Sequence, residues 1–79
     1  MLFLKIISPE RNVFQGEVES VLVPGEVGEF EILKNHAPII STLVEGRVVY
    51  SVESKKKTLH ILGGFVEVKK NEVYLCVEM

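Results

Sequence analysis

Tryptophan is absent from this chain of 79 residues, and alanine and cysteine each occur once. With Cys76 alone, no internal disulfide can form, and a reducing compartment is the expected home. Cys76 alternates with Leu75 and Val77 in a strand-like run, so it is expected to be a small packing residue rather than a nucleophile. His36 and His60 are the only histidines. They show no His-x-x-x-His or Cys-x-x-Cys spacing, which leaves no closed ligand set for zinc, and no metal site is expected. No apolar run reaches the length of a membrane span. The N-terminal Met1-Leu-Phe-Leu-Lys-Ile-Ile is too short for a signal peptide and has no cleavage site.

Strong charge of either sign is also missing. The formal net charge is −2, with acidic and basic residues interleaved. A nucleic-acid binder would carry a basic face, and an oligonucleotide-binding sheet would interleave aromatics with Lys and Arg. Here Phe3, Phe14, Phe30, Phe65, Tyr50 and Tyr74 are expected mostly at inward positions. Nucleic acid is therefore not the expected ligand. The single basic run, Lys55-Lys56-Lys57, sits between two strand-like stretches and reads as a solvated turn.

What the chain does have is valine, isoleucine, leucine and glutamate in alternation, a mix that suits strands. Its mean hydropathy is positive, which points to apolar surface kept for a partner. At this length it forms a single domain, residues 1–79, with a thin stability margin. Strand candidates run from Leu2 to Ser8, closed by Pro9, and from Val13 to Val23, as one bent strand or two in series around Gly16. Pro24-Gly25-Glu26 has the composition of a type II turn. Glu29 to Leu33 alternates strictly, with Phe30 and Ile32 inward. Lys34-Asn35-His36-Ala37-Pro38 breaks the pattern and Ile39 to Leu43 is apolar. Arg47–Val52 and Thr58–Leu62 pair across the lysines, and Phe65–Lys69 and Glu72–Val77 form a hairpin around Lys70-Asn71. Short strands about ten residues apart, with no sustained 3.6 period, predict an all-β antiparallel sandwich or barrel.

Ser20 or Ser41 beside His36 would need an orienting third group, and nothing in the sequence supplies one. Glu29 and Glu31 share a strand face about 7 Å apart, the ordinary spacing of a solvated face. Gly25-Glu-Val-Gly-Glu lacks the Gly-Lys-Ser/Thr ending of a phosphate loop. Lys70 lies near a hairpin tip, as a modified lysine does in a swinging-arm carrier, but lacks the flanking residues of such carriers. A free-standing carrier or binding module remains the alternative. No catalytic residue and no cofactor is expected.

The stretch Pro24-Gly-Glu-Val-Gly-Glu-Phe-Glu-Ile-Leu-Lys-Asn-His-Ala-Pro-Ile-Ile-Ser41 resembles a segment of the F-type ATP synthase epsilon subunit that typically runs Pro-Gly-x-x-Gly-x-x-Gly-Ile-Leu-Pro-Gly-His-Ala-Pro. Ser8 to Val18, with its phenylalanine and glycine before a strand, resembles the opening of the same family. Gly63-Gly-Phe-Val-Glu-Val68, followed by Asn71 and Val73, resembles its Gly-Gly hairpin. Glu31 stands where the family has glycine, and Lys34-Asn35 where it has Pro-Gly. Asn35 is the next best residue for a left-handed turn.

The resemblance implies a β-sandwich of about ten short strands, a non-catalytic central-stalk subunit of the rotor. Its partners would be the gamma subunit and the membrane c-ring, so that ion flow drives ATP synthesis. It implies a c-ring contact through Glu29 and Phe30, and a gamma contact through Ser8, His36 and Ser41. For His36 two roles stay open, an interface donor or an internal brace to a backbone carbonyl. The family's C-terminal helical hairpin has no counterpart before Met79, so no helix-mediated restraint of hydrolysis and no nucleotide site are expected. The expected location is the cytoplasmic face of the bacterial inner membrane, held there only through the complex.

Overall fold

The computed structural model describes residues 1–79, in nine strands and no helix. The strands are β1 (Leu2–Ile7), β2 (Asn12–Val18), β3 (Ser20–Gly25), β4 (Gly28–Ile32), β5 (Ile39–Leu43), β6 (Gly46–Val52), β7 (Lys55–Ile61), β8 (Gly63–Lys69) and β9 (Glu72–Glu78). The hydrogen-bonded order is β2-β1-β9-β8-β5-β3-β6-β7, with β4 added to β3. The run curls on itself at the β5–β3 junction, where only Gly25 and Leu43 pair. One half, β2-β1-β9-β8-β5, thereby lies over the other, β7-β6-β3-β4. Phe14 of β2 and Tyr50 of β6 close the open side, with ring centroids 4.7 Å apart.

The halves meet over a core of 16 buried apolar residues, among them Leu4, Ile6, Val66 and Leu75 from one and Val21, Val23, Ile32, Val48 and Ile61 from the other. Period-two alternation puts them there. In β1, for example, Leu2, Leu4 and Ile6 are buried while Phe3, Lys5 and Ile7 are not. Each fully buried side chain of this size contributes about 1.5–3 kcal/mol, and register is fixed because a one-residue slip would turn all of them to solvent.

Val13–Val23 is resolved into two strands, β2 and β3, that part at Glu19. Glu19 N–H donates to the Ser51 carbonyl, and its carboxylate accepts from Ser54 N–H at 3.0 Å. Three expectations need correction. The sandwich is not wholly antiparallel, since β1 and β9 pair in parallel; the chain's first and last strands become neighbours after a crossover through everything between them. Lys55-Lys56-Lys57 is not a turn but the start of β7, an edge strand. The turn is Glu53-Ser54, where both residues are left-handed (φ 51 and 66°) as a two-residue type I′ hairpin requires. Lysines on an exposed edge repel a second strand.

Pro24 and Gly25 belong to β3, and the loop is Glu26-Val27. Gly25 is needed for close approach: a Cβ there would stand 2.8 Å from the Phe30 ring. Lys70-Asn71 is a type I′ turn as the hairpin pattern predicts, with φ of 52 and 61°. Asn35, at 67°, takes the left-handed conformation expected of it.

Candidate docking surfaces

Cross-strand partners project on the same side of a sheet, so the register defines what each half shows to solvent. On the five-stranded half, one outward row is Thr42, Phe65, Cys76 and Ile7, and the next is Ile40, Glu67, Tyr74 and Lys5. Ile40 is 73% exposed and Phe65 46%. Beside them a groove of about 400 Å³ is lined by Ile7, Ser8, Pro9, Phe65, Cys76 and neighbouring backbone. Gly64 forms part of its wall at φ 146°, and a Cβ there would stand 2.1 Å from the Cys76 carbonyl oxygen. Cys76 is therefore not a core residue but half-buried on the outer face. Phe65 and Tyr74 likewise point outward, and of the six aromatics only Tyr50 is buried. No ion pair lies on this face.

The four-stranded half differs. Leu22 and Val49 are half-buried in the middle of its outer surface, flanked by Glu31 and Thr58 in register. Arg47 Nε–H donates to Glu29 Oε2 at 3.2 Å, and His60 lies 3.3 Å from a Glu45 oxygen. The Ser20 and Ser51 hydroxyls bond at 3.3 Å. Burial pushes the Tyr50 phenol up from its ordinary value. The Tyr74 phenol, on the other half, is also raised, first by the Glu72 carboxylate, to which it donates at 3.3 Å.

The residues singled out in the sequence are spread across this frame. Glu29 and Phe30 lie at the start of β4, the former exposed and the latter half-buried against the core. Ser8 begins the turn after β1, its hydroxyl donating to the Arg11 carbonyl at 3.3 Å, and it borders the groove. Ser41 sits mid-β5 opposite Val66, donating to the Thr42 carbonyl at 3.2 Å. His36 lies in the β4–β5 loop, at the far end of the sandwich from Ser8. Its Nδ1, in the tautomer that carries the proton there, donates to the Ala37 carbonyl at 2.7 Å. Its ring centroid is 6.4 Å from that of Phe30. The structure thus joins His36 with Phe30 and Glu29 with Arg47, and leaves Ser8 apart from both.

Sequence reading missed the Ile40–Phe65 surface and Arg47. The signal for the first was a Phe65-x-Glu67 alternation against inward Val66 and Val68; for Arg47 there was none, because 18 residues separate it from Glu29.

A sandwich that leaves apolar side chains and a groove open on one outer face is built as an interaction domain. The family described as ATP synthase, Delta/Epsilon chain, beta-sandwich domain matches residues 1–79, and this chain belongs to it. It is 43% identical over 77 residues to the ATP synthase epsilon chain of Leptospira interrogans, covering 98% of this chain and 61% of that one. It is 44% identical over 75 residues to that of Desulfitobacterium hafniense, covering 95% and 57%. With the ATP synthase epsilon chain of Chlorobaculum tepidum the identity is 41% over 76 residues, and the shares are 95% and 86%. The chain thus spans about three fifths of the length of its Leptospira relative.

Among solved structures, a chain of the Euglena gracilis mitochondrial ATP synthase (OSCP/F1/c-ring) superposes with a TM-score of 0.93 at 22% identity, over 99% of this chain and 51% of that one. A chain of the Tetrahymena thermophila mitochondrial ATP synthase central stalk and c-ring gives 0.84 at 13% identity, over 99% and 63%. At these identities the likeness is one of fold.

Proposed function

We propose that this chain serves as a non-catalytic central-stalk subunit of an F-type ATP synthase, joining the gamma subunit to the c-ring on the cytoplasmic face of the membrane. The observation that carries the reading is the open apolar face of the five-stranded half, in a domain whose relatives are ATP synthase epsilon chains. Gamma lies along that face, over Ile40, Phe65 and the groove that Ser8 borders, with His36 toward its margin; Ser41, in register with buried Val66, points to the inner side of its strand. Burying such a patch supplies the apolar contact that a rotor joint needs.

The c-ring takes the other contact, at the end where the β3–β4 loop carries Glu26 and the fully exposed Val27. Glu29 opens β4 there. Arg47 occupies one of its carboxylate oxygens, and the other is free to accept from a basic or polar group of the ring.

Co-expression with gamma tests the reading: the two chains are expected to elute as one species, and separate elution would overturn it. In membranes reconstituted with this chain, Glu29→Arg places a second cation beside Arg47. It is expected to weaken c-ring docking about tenfold, as loss of a charge-assisted contact does, with the fold intact. Unchanged coupling would remove Glu29 from the contact.

A further inference from the structure

The residue that holds the His36 loop in place is Asn71, 36 positions beyond Asn35 in the chain's second half. Asn35 N–H donates to Asn71 Oδ1 at 2.7 Å, and Asn71 Nδ2 donates to Asn35 Oδ1 at 3.4 Å. Both residues are left-handed, Asn35 as the third residue of the turn closed by His36 N–H to the Leu33 carbonyl (3.1 Å), Asn71 in the β8–β9 turn. The Asn71 carbonyl accepts in addition from Phe3 N–H at 2.9 Å, which fixes its own turn to β1. Asn71 is thus anchored by its backbone while its side chain captures the donor next to His36. The β4–β5 loop has no other side-chain bond to a distant element: the only other one that it makes runs from His36 to Ala37 within the loop.

We infer that Asn71 is the positioning residue of the His36 loop, setting the presentation of His36 to the gamma subunit by gripping the backbone of Asn35. This rests on the reading of His36 as part of the gamma contact. The Asn35 N–H to Asn71 Oδ1 bond is the principal one. At 3.4 Å the amide–amide bond is long, so Asn35 contributes chiefly its backbone donor and its tolerance of positive φ.

Three variants separate these roles. Asn71→Gly keeps the left-handed turn, which glycine suits, and removes the grip. Asn71→Asp keeps the acceptor. Asn35→Gly keeps the donor and the turn. Amide exchange at Asn35, followed by NMR, is expected to speed about fivefold in Asn71→Gly, the loss of one hydrogen bond, and to stay within about twofold of wild type in the other two. Affinity for gamma is expected to fall by about threefold to fivefold in Asn71→Gly and to return in Asn71→Asp. Unchanged Asn35 exchange in Asn71→Gly, or equal exchange in the Gly and Asp variants, would overturn the grip. Altered exchange with unaltered gamma affinity would overturn the positioning role. If wild type does not bind gamma, the central-stalk reading fails instead, and the exchange series still decides the grip.

Discussion

The outer faces of the two halves solve the same problem in opposite ways. On the four-stranded half, Arg47 donates to Glu29, His60 lies beside Glu45, and Leu22 and Val49 are half-covered. On the five-stranded half, Lys5 and Glu67 stand unpaired beside Ile40, Phe65 and Tyr74, and the groove next to them is open. A sheet needs only one apolar face to fold, so the outer surface of each half is free to serve other ends. One face is complete in water. The other becomes so only against a partner.

The strongest test of that contrast is at Gly64, where the open face is built on a close approach between strands. Gly64→Ala would place a Cβ 2.1 Å from the Cys76 carbonyl oxygen, against backbone that cannot swing away, at a φ of 146° that L side chains avoid. Strain and overpacking together are expected to cost about 3 kcal/mol. Chemical denaturation would show this as a lower midpoint, and a loss below about 1 kcal/mol would mean that β8 and β9 separate easily there.

Phe65→Glu acts on the same face without touching its support. Phe65 is 46% exposed and outside the core cluster, so the free domain is expected to keep its stability within about 0.5 kcal/mol. Affinity for gamma is expected to fall by about 2 kcal/mol, the scale of an aromatic anchor in a buried contact. Titration of gamma with the two forms measures the difference. Equal affinity would place the gamma contact elsewhere, and the contrast between the faces would lose its functional meaning.

The all-β class was legible because alternation is local: Leu4 and Ile6, Val66 and Val68, Val73 and Leu75 announce an inward face without knowledge of any neighbour. The left-handed Asn35 and the Lys70-Asn71 turn were legible for the same reason, since their chemistry lies in one or two residues. The lysine run misled because a charged edge strand and a charged turn have the same composition; the turn-forming pair was Glu53-Ser54, which lacks glycine altogether. Phe65 and Tyr74 misled because an aromatic in a strand is ordinarily core, and only the register with Thr42 and Glu67 shows them outside. Pairings over long separations were beyond reach: β1 with β9, Arg47 with Glu29, Asn35 with Asn71. The motif stretch from Pro24 to Ser41 named the family, but not which face it leaves open.

The last and smallest expectation concerns the closed face. Arg47 is 59% and Glu29 46% exposed in their side chains, and Nε–H to Oε2 is their one contact, at 3.2 Å. Water and salt screen such a pair, and two flexible side chains must be ordered to make it. Arg47→Ala is therefore expected to cost at most about 0.5 kcal/mol, falling further as ionic strength rises. A loss above about 1 kcal/mol that persists in high salt would show that the pair supports the fold. A small loss leaves Glu29 as a carboxylate loosely held by its own chain, available for exchange with a partner's cation. The closed face would then be closed only in the free domain, and the difference between the faces would be one of strength: apolar contact that must be covered on one side, charge that can change partners on the other.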